Sequence, residues 1–289
     1  MVHLAAVKRL YGYSPWLYAQ IDRLYRASAY ARYRNARIDR DVSKKLRERV
    51  EYERKIVNDY LNNDWTVRSG PFAGMLSAPV SAGSLLSPRI IGSHESPIHS
   101  WIAEAIAQNY EKILDIGSGE GYYAVGFALK SPTSAVYAYD INRLARDNTL
   151  ALANLNRVED RIYLRDLCTI DEFNMEVSER TLIFCDIEGG EFDLLQPDLA
   201  PGLLRADLIV EAHDHRRPGI TETLVRRFLP SHRIEIRYHC AKAAKEFPIL
   251  SAIPASEHAR LLEEARPLSQ CWIRFLANPS GAIKPVQWW

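Results

Sequence analysis

At 289 residues, with 47% hydrophobic and 25% charged positions, the chain can bury a sizeable core, which rules out wholesale disorder. Only 14 glycines and 4 cysteines exclude collagen-like and disulfide-scaffold classes. The net charge of +1 says nothing for nucleic acid, but it is unevenly spread: residues 1–65 carry 14 Lys/Arg against 8 Asp/Glu, the remainder 23 against 28.

A basic N-terminal part on an acidic body suggests two functional parts. The basic part is either a solvated helical face or a contact for an anionic partner or membrane surface. Cys168, Cys185, Cys240 and Cys271 form no C-x-x-C pair and match no zinc spacing. They fit a reducing compartment. The first residues are too weakly apolar for a secretory segment, and no run of about 18 apolar residues occurs. The expected location is cytoplasmic.

Ser14-Pro15 reads as a helix start, followed by Leu17, Ile21 and Leu24 on one face. A second helix carries Ile38, Val42, Leu46, Val50, Val57 and Leu61 and ends at Asn62-Asn63-Asp64. Between them Tyr25, Tyr30 and Tyr33 interleave with Arg26, Arg32, Arg34 and Arg37. That pattern suits either stacking on a polyanion or sugar, or Arg stems packed over Tyr rings. Residues 66–97 are rich in Gly, Pro and Ser and read as a linker with short ordered pieces. Ser96-Pro97 opens a helix with Ile98, Trp101, Ile102, Ala105 and Ile106 inward.

From there strands and helices alternate. Apolar strands are expected at 112–117, 135–140, 161–166, 181–188 and 206–214, then at 233–238 and 270–277. Helices are expected at 142–156, 221–228 and near 256–265. Alternation with near-continuous apolar strands indicates a mostly parallel sheet covered on both faces.

The sharpest signal is ILDIGSGEG, residues 113–121. Gly117, Gly119 and Gly121 follow a buried strand that carries Asp115. Glycines at a strand-to-helix turn let backbone N–H groups approach a ligand. The G-x-G-x-x-G fingerprint fails, because Tyr122 stands where its third glycine belongs, and no P-loop is present. An acidic turn suits an ammonium group better than a pyrophosphate. Asp140, ending the next strand, can accept two ribose hydroxyls.

At these residues the sequence resembles the class I S-adenosylmethionine-dependent methyltransferases, over roughly residues 95–277. The resemblance implies a Rossmann-like α/β fold: a seven-stranded doubly wound sheet with the last strand antiparallel, preceded by a helical extension. It divides the chain into a helical extension (1–65), a linker and cofactor-covering loop (66–97), the methyltransferase domain (98–279) and a tail (280–289). It implies S-adenosylmethionine as methyl donor. Gly117, Gly119 and Gly121 would pass under its methionine part, Asp115 would approach the ammonium, and Asp140 would hold the ribose. Ile141, Asp166 and Leu167 would border the adenine. Asp166 alternatively caps the following turn. Glu95, in RIIGSHESP, either favours a helix N-terminus or folds over the donor.

FCDIEGGEFDLL, residues 184–195, is similar to the D-x-E-G-x-E signature of FkbM-like methyltransferases, which modify hydroxyls of sugars and natural products. Asp186 and Glu188 are expected on one side of a strand end, and the next strand places Glu211 and His213 on one side. Ligands of open parallel sheets bind outside the carboxyl ends of strands. Asp186, Glu188, Glu211 and His213 are therefore the expected catalytic residues, with His213 as general base. His213 bonded to backbone is the alternative, and Glu188 can instead pair with Arg216. Asp186, Glu211 and Asp214 could imitate a magnesium site, but Ala212 stands where metal-dependent relatives carry an amide, so no obligatory metal is expected. The expected reaction is O-methylation of a sugar, glycan or small-molecule hydroxyl. N-methylation of an amine or protein side chain is the rival, and a non-catalytic binding module is the reading from another class. No nucleic-acid partner and no transmembrane segment are expected, and homo-oligomerisation is left open. The tail ending Gln287-Trp288-Trp289 carries no readable code.

Overall fold

The near-continuous apolar runs become the strands of one sheet. In a computed structural model, they are β1 (Lys112–Ile116), β2 (Ala135–Tyr139), β3 (Ile162–Arg165), β4 (Thr181–Cys185), β5 (Asp207–Ala212), β6 (His232–Tyr238), β7 (Cys271–Ala277) and β8 (Gln287–Trp288). Residues 44, 47–79, 85–264, 266, 270–278 and 287–288 are described. The sheet order is β3-β2-β1-β4-β5-β7-β6-β8. The first five strands pair in parallel, and β7 runs antiparallel to both β5 and β6. This is the expected seven-stranded order, extended by the two-residue β8 beside β6.

The chain divides into two compact units, Met1–Glu51 and Tyr52–Trp289. In the first, residues 44 and 47–51 are helical. The expectations for Ser14, Leu17, Ile21, Leu24, Ile38, Val42, Leu46 and the Tyr/Arg interleaving lie outside the described residues, as does Trp289.

The second unit contains the sheet and its helices: α1 (52–61), α2 (Leu86–Ile91), α3 (His99–Gln108), α4 (Tyr122–Lys130), α5 (Arg143–Asn156), α6 (Ile170–Glu176), α7 (Glu191–Leu194), α8 (Ile220–Phe228) and α9 (Ala255–Leu262). Strand side chains alternate between faces. Ile113, Phe184 and Ile209 join the cluster under α3, α4 and α5, with Trp101, Tyr123, Phe127 and Leu152. Leu114, Ile183, Leu208 and Val210 join the opposite cluster with Phe173, Leu224 and Phe228. Each fully buried large apolar side chain stabilises by about 1.5–3 kcal/mol. Local signals set the ends: Asn142 caps α5 by accepting from the Leu144 N–H at 3.0 Å, and Thr169 with Glu172 forms a capping box on α6.

Several spans differ from expectation; among them β5 stops at Ala212, short of the expected 214, so His213 lies beyond the strand. Residues 66–79 and 85–97 are folded parts of the second unit: Val67, Phe72 and Met75 are buried, and Thr66 bridges to Leu76. Ile90 and Ile91 of α2 pack with Ile56, Val57 and Leu61 of α1 and with Leu261 and Leu262 of α9. β4 stops at Cys185, so Asp186 and Glu188 lie beyond the strand. α9 stops at Leu262, short of the expected 265.

From β1 the chain runs outward to β2 and β3, then returns to place β4 and β5 on the other side. The connections thus diverge between β1 and β4, and a crevice opens there beyond the carboxyl ends of the strands.

Candidate active site

The glycine turn fills the β1 side of that crevice. Gly117, Gly119 and Gly121 all take positive φ, +87°, +53° and +89°. A Cβ on Gly117 would lie 1.8 Å from the Asp186 carbonyl oxygen, and one on Gly121 would lie 2.8 Å from Thr149 Cγ2. These two let the turn press against the end of β4 and against α5. A Cβ on Gly119 would meet nothing within 4 Å, so this glycine faces open space. Asp140, ending β2, orders the turn: its carboxylate accepts the Gly119 N–H at 2.9 Å and the Asn142 N–H at 2.7 Å. Both oxygens retain lone pairs for a further donor. Ile141 (79% exposed) and Leu167 (58% exposed) present apolar side chains to solvent near the ends of β2 and β3. Asp166 is exposed and accepts the N–H of Leu167, the turn contact of its alternative reading.

The period of two along strands puts Asp115 with Ile113, and Glu211 with Ile209, on the α3/α4 face. Asp186, one residue past β4, stands beside Glu211. Asp115 is buried, accepts from the Ala124 N–H, and leaves Oδ2 without a hydrogen-bond partner. Burial pushes its carboxyl up to about 8; the Ala124 N–H opposes this, and Asp140 and Glu95 add to it. Ser118 Oγ and Tyr122 Oη beside the turn are also buried and unpartnered.

Glu95 stands at the N-cap position of the Ser96–Ile98 turn at φ +50°, but its side chain makes no capping bond and its buried carboxylate turns inward to accept from Tyr123 Oη and Arg266 Nη2. Burial raises it to about 8 against the pull of Arg266. The loop around it is held by Glu264, which accepts the Glu95 N–H at 2.9 Å, and by His94, whose ring meets Tyr122 edge-on at 5.2 Å.

His213, one residue past β5, is 2% exposed. Its Nδ1 bonds Glu191 Oε1 at 2.8 Å, and the same oxygen accepts the Ile187 N–H at 3.1 Å. Glu191, fully buried at the start of α7, fixes the ring through a side chain, not through the backbone. Nε2 then faces Asp186 Oδ1 at 3.4 Å, Glu211 Oε2 at 3.8 Å and Glu188 Oε2 at 3.8 Å. Burial works against a charged ring, but the Glu191 bond and the Glu211, Glu191 and Glu188 carboxylates raise its pKa overall. Surrounding protein raises Asp186 to about 7, opposed by Arg266. Burial and Asp186 raise Glu211 to about 8, again opposed by Arg266. Glu211 Oε1 accepts from Arg266 Nη1 and from Gln270 Nε2, while its buried Oε2 is unpartnered.

The acids separate by depth. Asp186 is 29% exposed and lines the opening. Glu188, at φ +56°, points outward and pairs with Arg216 at 3.0 Å. Asp214 turns away from the cluster and accepts the N–H groups of Gly219 and Thr221 at the start of α8. The magnesium-like trio of Asp186, Glu211 and Asp214 therefore does not assemble. His213 takes the third place: ligand atoms of Asp186, Glu211 and His213 lie within 4.8 Å of one another and can hold a cation. Sequence reasoning passed over Glu191 as a partner of His213, although it belongs to the acidic signature. It missed Arg266, Glu264 and Tyr123.

No family model and no curated protein matches the chain. Solved structures resemble it loosely. An O-methyltransferase from Bacillus cereus in complex with SAH has a TM-score of 0.40 at 14% identity, over 60% of this chain and 77% of that one. The O-methyltransferase TomG from Streptomyces achromogenes, involved in tomaymycin synthesis and in complex with SAM, has a TM-score of 0.40 at 14% identity, over 61% and 77%. An rRNA methylase from Streptococcus thermophilus has a TM-score of 0.42 at 14% identity, over 63% and 96%. All three scores fall below one half, and the fold assignment rests on the strand order itself. No described helix is long and apolar enough to cross a membrane.

Proposed function

We propose that the chain is an S-adenosylmethionine-dependent methyltransferase of FkbM-like type, O-methylating a hydroxyl of a sugar, glycan or small natural product. The observation that carries this reading is the unpartnered, buried Oδ2 of Asp115 beside a glycine turn whose middle residue faces open space. A buried carboxyl oxygen without a hydrogen-bond partner is costly unless a ligand supplies one. An ammonium group does so. Asp140, with lone pairs to spare at the end of β2, suits a ribose, and exposed Ile141 and Leu167 suit an adenine ring. Glu95 and Tyr123 close the methionine end. When bound, S-adenosylmethionine supplies a methyl group on a sulfonium leaving group.

The chain's own residues then supply alignment and a base. Asp186, at the opening and near neutrality, accepts the hydroxyl proton of the acceptor. His213 Nε2, 3.4 Å behind it, takes that proton on and is the general base that Asp186 assists. Glu191 holds the ring so that Nε2 faces the opening, and it stabilises the charged imidazole. Glu211 sets the field around Nε2, and Glu188 with Arg216 forms the rim. Carboxylates of Asp186, Glu188 and Glu211 face His213 Nε2, which favours proton removal from a neutral hydroxyl over binding an anionic acceptor. Transfer of label from methyl-tritiated S-adenosylmethionine to a panel of hydroxylated sugars and phenols tests the reading. With an acceptor found, His213→Ala is expected to lower turnover by ~10²–10⁴-fold with S-adenosylhomocysteine affinity retained. Wild-type turnover in that variant would make the histidine structural.

A further inference from the structure

Arg266 lies between α9 and β7, and its guanidinium is divided among three acids from different parts of the chain. Nη2 donates to Glu95 and Nη1 to Glu211, while Nε lies 3.6 Å from Glu264 Oε2. All three carboxylates are nearly inaccessible to solvent, and the arginine side chain is 17% exposed. Glu95 belongs to the loop beside the glycine turn and bonds Tyr123 of α4. Glu211 belongs to β5 and stands 3.8 Å from His213 Nε2. Glu264, two residues before Arg266, accepts the backbone N–H of Glu95 and also binds Lys242. One short segment therefore grips the Glu95 loop by backbone and side chain and grips the acceptor-side strand by its acid.

The planar fork of an arginine can serve two carboxylates through separate edges, which the point charge of a lysine cannot reproduce. Removing one member of a buried ion network leaves the others uncompensated, so the position of each acid depends on the rest. We propose that Arg266 is a positioning residue that couples the donor-covering loop at Glu95 to the acceptor-side acid Glu211. The loop's closure over the donor and the orientation of Glu211 Oε2 toward His213 then form one event. This inference rests on the methyltransferase reading above.

The test is a mutant cycle read by calorimetry of S-adenosylhomocysteine binding, with amide hydrogen exchange as second readout. Glu211→Gln lies on the acceptor side, yet it is expected to change S-adenosylhomocysteine affinity by about 3–10-fold, the range of coupling between residues in one network. In the Arg266→Met background the same change is expected to alter affinity less than about twofold. Arg266→Lys keeps the charge without the fork and is expected to behave like Arg266→Met, which covers the case in which the methionine variant does not fold. In ligand-free protein, Glu211→Gln alone is expected to change exchange of the 93–97 amides by at least about threefold. An equal effect of Glu211→Gln with and without Arg266, or unchanged exchange of that loop, overturns the coupling and leaves Arg266 a structural residue seen in thermal unfolding alone. A wild-type protein that binds no S-adenosylhomocysteine overturns the methyltransferase reading itself, and the exchange experiment still reports on the link.

Discussion

Gly117 and Gly119 are two residues apart, both at positive φ, and alanine at each has a different expected consequence. At Gly119 the new Cβ meets no atom within 4 Å, and φ +53° lies in the left-handed region open to L-residues at a cost of ~1–2 kcal/mol. Gly119→Ala should therefore fold, with a melting temperature lower by roughly 2–8 °C at ~2–4 °C per kcal/mol. At Gly117 the Cβ lands 1.8 Å from a backbone oxygen, at φ +87°. Overpacking adds to the left-handed cost, giving ~2–5 kcal/mol. Calorimetry of S-adenosylhomocysteine binding then separates packing from ligand contact. The added methyl at Gly119 projects into the space assigned to the donor, so affinity should fall at least about tenfold, ~1.4 kcal/mol. A Gly119→Ala protein that binds like wild type would show that this face of the turn is not the donor site, and the reasoning from open space would fail.

Glu191→Gln removes the charge that holds His213. Stability should fall by ~1.5–3 kcal/mol, and the His213 ring, followed by NMR, should titrate at lower pH than in wild type. Because the folded-state pKa of His213 is raised, its stabilisation is full below the ordinary histidine value of about 6.5 and is lost as pH rises through the folded value. The variant's loss of stability in urea should accordingly be larger at pH 6 than at pH 9, and equal losses would remove Glu191 from this role. Treatment with EDTA should leave turnover on a found acceptor intact. Turnover abolished by EDTA and restored by Mg²⁺ would instead make Asp186, Glu211 and His213 a cation site and displace the base assignment.

Much of the fold is legible because it is written in local patterns. The runs at 112–117 and 135–140 are short and mostly apolar, 233–238 alternates apolar with charged residues, and both patterns read as strands; the Gly117–Gly121 turn with Asp115 and Asp140 declares a ligand-facing strand end. The carboxyl ends of β4 and β5 also bring Asp186, Glu211 and His213 together, as the strand order implies. What escapes is whatever depends on distant partners. Arg266 meets Glu95 across 171 positions, and no periodicity marks an arginine between a helix and a strand. Glu191 is visible as part of an acidic signature, but its bond to His213 arises only when α7 packs beside the end of β5. Val67, Phe72 and Met75 are too widely spaced among glycines and prolines to read as core, yet each is buried. Glu188 follows its alternative reading, the pair with Arg216, and not the equivalence with Asp186 that a longer β4 implies. The strand's end at Cys185 and the left-handed Glu188 turn it toward Arg216.

In the proposed reading, Asp115 receives the ammonium group of S-adenosylmethionine. Calorimetric titration of S-adenosylmethionine into wild type and Asp115→Asn at pH 7, repeated in buffers of different ionisation enthalpy, tests it most directly. The Asp115 carboxyl, pushed up to about 8 by burial, holds its proton to higher pH in the free protein than an ordinary carboxyl does. Binding a cation should ionise it, so the account predicts proton release on binding in wild type, seen as a buffer-dependent heat. In Asp115→Asn that heat should disappear and affinity should fall roughly tenfold or more, the loss of one charged hydrogen bond of ~1.5–3 kcal/mol. A wild-type protein that does not bind S-adenosylmethionine, or an Asp115→Asn protein that binds it equally well with the same buffer dependence, would contradict the account.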